Sequence, residues 1–94
     1  MIQLIIDIVP FRRKRLELMQ TLDILMESLH KNGFTVSFID TITKIAILIE
    51  LKDEKQLDDL LNSSDFLILK GAVKTLSSKY SMTANGKNIT RPWL

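Results

Sequence analysis

The chain has 94 residues, 46% of them hydrophobic and 26% charged, with a formal net charge of +2 and no cysteine. That length predicts one small domain whose core buries a modest share of its surface, and the composition excludes a disordered chain. Without cysteine there are no disulfides, thiolate nucleophiles, iron–sulfur clusters or Cys-based zinc sites, and the single histidine, His30, excludes any site that needs two.

The first stretch, MIQLIIDIVP, lacks the basic flank and small-residue cleavage site of a secretory signal, so it reads as a strand and the expected location is cytoplasmic. Ile2, Leu4, Ile6 and Ile8 alternate with Gln3, Ile5, Asp7 and Val9, giving one fully apolar face and one mixed face, with Pro10 as the stop. From about Phe11 to Lys31, Leu18, Leu22, Leu25 and Leu29 recur at helical spacing with Met19 and Met26 beside them as core filler. Asn32-Gly33 supplies a left-handed stop. Arg12-Arg13-Lys14-Arg15 splays around the helix start rather than forming a stripe, so it reads as solvated surface; the slight net charge adds no reason to expect nucleic acid.

Phe34 to Asp40 and Lys44 to Leu51 read as a tight antiparallel hairpin across Thr41-Ile42-Thr43. Its second strand is apolar on both sides: Ile45, Ile47, Ile49 and Leu51 point one way, Ala46 and Leu48 the other, until Glu50 interrupts. Such a strand requires cover on both faces. Asp53 with Gln56 three residues later is a capping box opening a short helix with Leu57, Leu60 and Leu61 on its buried side. Asn62-Ser63-Ser64 stops that helix. Beyond it, Phe66, Leu69, Val73 and Leu76 keep helical spacing, yet the tetrad Phe66 to Leu69 suits a strand equally well. Lys79 to Ala84 and Lys87 to Thr90 flank Asn85-Gly86, the strongest turn signal in the chain, so a last strand turns back into an arm spanning residues 84–94 that Trp93 anchors.

The order strand, helix, strand, strand, helix, strand specifies an α+β ferredoxin-like split βαββαβ domain with an antiparallel sheet. Both helices then cover one sheet face. Ile and Leu on the other face have nothing left in the chain to bury them, and a second copy stacked sheet on sheet supplies the cover, so a homodimer is expected. No apolar run reaches the roughly 20 residues needed to cross a bilayer, so no membrane partner is expected either.

The run ELKDEKQLDDLLNSSDFLILKGAVKTL, Glu50 to Leu76, resembles the signature half of the antibiotic biosynthesis monooxygenase family: an acidic strand end, a helix, a serine-containing kink, a phenylalanine and then Leu-Gly-Ala with an apolar tail. The match is gapless over that half. Met1 to Gly33 follows it more loosely, with a strand, a Val-Pro-basic turn and a long amphipathic helix. The resemblance implies a dimeric α+β barrel made of one such domain per chain. It also implies that the ambiguous segment is a second helical piece from Asp65 to about Ser77, capped by Ser64. Leu51 stands where the family commonly carries tryptophan, and Leu60 where it carries histidine, so both positions are aliphatic here. The histidine that holds iron in haem-degrading relatives is thereby missing.

By this resemblance the chain is a monooxygenase that needs no metal and no cofactor and oxidises a small quinol or phenolic compound. The substrate pocket then lies between helices and sheet near Leu51, Leu60 and Phe66. Asp7 is the candidate base, because a carboxylate in an apolar strand gains basicity if it is buried. The alternative is a non-catalytic dimeric module that keeps the fold and binds a hydrophobic ligand or a partner protein, which the aliphatic Leu51 and Leu60 favour. His30, at the end of the first helix, reads as a favourable charge on the helix dipole, while Glu50, in the acidic position of the resembled family, reads equally as a functional carboxylate or a salt-bridge residue on the sheet.

Overall fold

The computed structural model describes residues 1–90; the expectation that Trp93 anchors the arm lies outside the described residues. The elements are β1 (Ile2–Pro10), α1 (Arg15–Lys31), β2 (Thr35–Asp40), β3 (Ile45–Leu51), α2 (Glu54–Leu61), α3 (Ser64–Leu76), β4 (Ser77–Ala84) and β5 (Lys87–Asn88). The sheet order is β2-β3-β1-β4-β5, and every neighbouring pair is antiparallel. This is the α+β ferredoxin-like arrangement, with the split second helix as α2 and α3.

Register follows from the alternation. Leu4, Ile6 and Ile8 sit opposite Ile49, Ile47 and Ile45, and Ile6 also faces Met82 across the other side of β1. These residues, Leu51 and Val36 form one buried layer with Leu18, Leu22, Leu25 and Leu29 of α1 and Phe66, Leu69 and Val73 of α3. A one-residue slip would place Gln3, Asp7 and Glu50 in that layer, so the pattern holds the register firmly.

The helix ends show which local signals mattered. α1 starts at Arg15 rather than Phe11, because the Phe11 N–H is bonded to Leu76 O (3.0 Å) and Lys14 N–H to Phe11 O (2.9 Å), which makes residues 11–14 a turn. Its other end is a Schellman closure: Phe34 N–H reaches Leu29 O (3.0 Å), Gly33 N–H reaches His30 O (3.1 Å), and Gly33 takes the φ of +87° that only glycine adopts freely. α2 opens as expected, with Gln56 N–H donating to Asp53 Oδ1 (2.9 Å) and Gln56 Oε1 accepting from Lys52 N–H (2.6 Å). The cap of α3 is Ser63, whose Oγ accepts from Phe66 N–H (3.1 Å); Ser64, expected in that role, is instead the first helical residue. The reason is the tight turn closing α2: Ser63 N–H and Oγ both donate to Leu60 O (3.0 and 2.6 Å), which fixes Ser63 in the extended geometry of a cap.

Helix α3 is tied to α1 by Asp65, whose two carboxylate oxygens accept from Ser28 Oγ (2.9 Å each) while Asn32 Nδ2 donates at 3.2 Å. Strand β4 begins at Ser77, two residues earlier than the sequence suggests, and β5 ends at Asn88, two residues short of Thr90. Asn85 and Gly86 turn the chain with φ of 51° and 85°, and Asn85 docks the turn on β1 through Gln3, accepting from its N–H and donating to its carbonyl (2.9 Å each).

Candidate functional site

Leu51, at the end of β3, is 1% exposed, Leu60, at the end of α2, is 1% exposed, and Phe66, in the first turn of α3, is 3% exposed. All three belong to the buried hydrophobic core. Leu51 is held opposite Ile2 in the sheet. Aliphatic side chains at these positions offer neither a proton acceptor nor a metal ligand.

Asp7 lies elsewhere. Its neighbours Ile6 and Ile8 are fully buried under the helices, so alternation turns Asp7 to the opposite, uncovered sheet face, where its side chain is 35% exposed. Lys44 Nζ lies 3.3 Å from Asp7 Oδ1. The carboxylate is therefore a partly hydrated, ion-paired group, on the far side of the sheet from Leu51, Leu60 and Phe66. It borders a depression of about 590 Å³ with Val9, Ser78, Lys79, Tyr80 and Ser81.

A second cavity forms where α2 breaks into α3. Asp58 and Leu61 of α2, Asn62 of the break, Phe66, Leu67 and Lys70 of α3, and Ile89 after β5 enclose about 480 Å³. Phe66 thus closes the core on one side and forms a cleft wall on the other. Leu67, 63% exposed, presents a large apolar side chain there. The cap at Ser63 makes this geometry, since it ends one helix and starts the next at a fixed angle. Four apolar side chains with a carboxylate, an amide and an ammonium at the edges make a mostly apolar cavity of ligand-binding size.

The sequence reading missed Asp58, Leu61, Leu67, Lys70 and Ile89. Leu61 and the helix break were visible signals; Ile89 was not, because only the Asn85-Gly86 turn brings it back against α3. Elsewhere, the basic run divides by role. Lys14 pairs with Glu17 (3.3 Å), while Arg15 bonds the Asp40 carboxylate and the carbonyls of Thr41 and Ile42, fastening the hairpin loop to α1. Among the described residues, no cluster of three His, Asp or Glu side chains is placed to hold a metal ion, and no helix is long and apolar enough to cross a membrane.

Neither a family model nor a curated protein matches the sequence. Solved structures do. A crystal structure of an antibiotic biosynthesis monooxygenase is 11% identical with a TM-score of 0.80, covering 89% of this chain and 95% of that one. The chain has the fold of an antibiotic biosynthesis monooxygenase. Rv0793 from Mycobacterium tuberculosis is similar at TM-score 0.81 and 15% identity, over 88% of this chain and 90% of that one. A conserved protein from Methanosarcina mazei Go1 gives TM-score 0.81 and 21% identity, over 92% and 91%. The shared fold thus extends over about nine-tenths of the chain.

Proposed function

We propose that the chain binds a small hydrophobic or aromatic molecule in the cleft at the α2–α3 break and works as a homodimer. The observation that carries this is the cleft itself: about 480 Å³ walled by Leu61, Phe66, Leu67 and Ile89, with polar groups confined to Asp58, Asn62 and Lys70. Leu51 and Leu60, by contrast, occupy the space between helices and sheet and leave it without chemistry. The dimer reading rests on the uncovered sheet face, where Ile5, Val9, Ile39 and Leu48 lie among polar neighbours and Ile39 is 56% exposed. A second copy stacked there removes that apolar area from water.

A second reading is cofactor-independent monooxygenation of a phenol or quinol; the shared fold with a protein named as an antibiotic biosynthesis monooxygenase supports the monooxygenase part of it. There a carboxylate takes the phenolic proton. The ring carbon gains one oxygen atom of O₂ and the other leaves as water, the four electrons coming from the substrate as a phenol becomes a quinone. Asp58 in the cleft and Asp7 on the open face are the carboxylates available for the proton.

Oxygen uptake and thermal melting with naphthol and a naphthoquinol separate the two. Binding without turnover gives a raised melting temperature that Leu67→Asp removes, and oxygen uptake equal to the buffer blank. Uptake above the blank that Asp58→Asn or Asp7→Asn abolishes establishes the oxygenase reading instead. An unchanged melt together with no uptake overturns both.

A further inference from the structure

We propose that the end of the molecule formed by the β1–α1 turn and the β2–β3 loop docks on the surface of a bilayer that carries anionic phospholipid. Two large apolar side chains stand out there: Ile42, in the hairpin loop, is 98% exposed, and Phe11, in the turn of residues 11–14, is 47% exposed. They are neighbours in space, because both line one depression of about 250 Å³ with Pro10, Arg12, Arg15 and Thr43. A side chain as exposed as Ile42 is not removed from water by folding and adds no hydrophobic stability to the chain. The loop nevertheless holds it in a defined place. Thr41 N–H and Oγ1 both donate to Lys44 O (2.9 Å each), Lys44 N–H donates to Thr41 Oγ1 (3.2 Å), and Arg15 ties the carbonyls of Thr41 and Ile42 to α1.

Charge complementarity identifies the partner. Of the cations gathered at this end, Lys14 is paired with Glu17, Arg15 with Asp40 and Lys44 with Asp7, so those three carboxylates are already used. Arg12 and Arg13, both exposed, have no ion pair or hydrogen bond among the described residues. The segment packed beside the turn brings no compensating acid either: Leu76 O accepts from Phe11 N–H, and no Asp or Glu occurs from Phe66 to the end of the sequence. Cations ahead of a helix oppose its macrodipole, and no side chain caps α1, so the run costs the fold stability rather than adding to it. An anionic headgroup reverses both effects. A bilayer also accepts what a phosphate backbone or an acidic protein surface does not, since Ile42 and Phe11 enter the headgroup–acyl boundary while Arg12 and Arg13 stay among the headgroups. Such a contact needs no membrane-spanning helix. Ile42 lies in the loop beyond β2 and β3, off the strand faces that a second copy would cover, and the α2–α3 cleft takes no part in the contact.

The test is flotation of the intact protein with unilamellar vesicles of phosphatidylcholine, alone or with about one-third phosphatidylglycerol, at low and at high salt. The protein should float with the anionic vesicles only, and less of it as salt rises. Replacing both guanidiniums, Arg12→Gln with Arg13→Gln, should weaken the partition about tenfold or more, at roughly fivefold for each basic residue. Ile42→Ser leaves the charge unchanged and should still weaken it about fivefold or more. All three positions are exposed, so the variants keep the fold, which a thermal melt checks, and sedimentation should show the parent's oligomeric state. Absent flotation, equal flotation with neutral vesicles, or binding that survives Ile42→Ser overturns the proposal. Tighter binding to a duplex oligonucleotide, lost with the arginines and kept in Ile42→Ser, gives the surface to nucleic acid instead. A changed oligomeric state in Ile42→Ser places that side chain between copies and likewise refutes the docking surface.

Discussion

The two faces of the sheet are made by the same strands and end in opposite situations. On one, Ile6, Ile8, Ile45, Ile47 and Ile49 are fully buried beneath α1 and α3. On the other, Ile5, Ile39, Ala46 and Leu48 share the surface with Gln3, Asp7, Glu50 and Lys79. The first face is covered by the chain's own helices. The second retains an ion pair, a bulge and uncovered apolar side chains. Alternation at a period of two therefore divides labour within each strand: even positions of β1 give stability, and odd positions are left for contacts with something else.

Substitutions that exchange the character of the faces should break this division in graded steps. Ile47→Ala removes three carbons from the centre of the covered layer and should cost about 2 to 5 kcal/mol in urea unfolding, the range for a buried truncation that leaves a cavity. On the opposite face of the same strand, Leu48→Asp should cost about 1 to 3 kcal/mol of dimer stability, read as a raised dissociation constant in sedimentation equilibrium, because a carboxylate is carried into an apolar contact. A monomeric parent protein at all concentrations sinks the dimer, and in that case Leu48→Asp changes almost nothing.

A smaller effect sharpens the account of the cleft. Ser63→Ala removes the acceptor for Phe66 N–H and should cost about 1 kcal/mol in thermal unfolding, while Ser64→Ala stays within about 0.5 kcal/mol. Equal costs at the two serines contradict the cap assignment. Smallest of all is the pair on the open face: Asp7→Asn should change stability by less than about 1 kcal/mol at low salt, and by still less in high salt, because both side chains are partly hydrated.

Much of this architecture was legible in the sequence because its signals are local. Isoleucine or leucine at every second position fixed β1 and β3, Asn32-Gly33 fixed the end of α1, Asp53 with Gln56 fixed the start of α2, and Asn85-Gly86 fixed the last turn. The α3 segment was ambiguous on periodicity, and only family resemblance chose helix. The serine that caps it differed by one position, since the choice between Ser63 and Ser64 depends on how α2 closes rather than on residue type. The cleft was harder to foresee. Its walls come from positions as distant as Asp58 and Ile89, and it opens outside the helix–sheet layer in which Leu51 and Leu60 are buried. The ion pairing of Asp7 was equally hidden, since Lys44 lies in the β2–β3 connection, just before β3, and meets it only through the β1–β3 register.

The most direct test of the central claim is where a hydrophobic ligand lands. A naphthol titration of the intact protein followed by amide NMR should move the resonances of Leu61, Asn62, Phe66, Leu67 and Ile89 together, with saturation, and leave Ile6, Ile47 and Leu51 in place. Shifts concentrated instead at Ile6, Ile47, Leu51 and Leu60 would show that the ligand enters between helices and sheet, and would contradict the assignment of function to the cleft at the helix break.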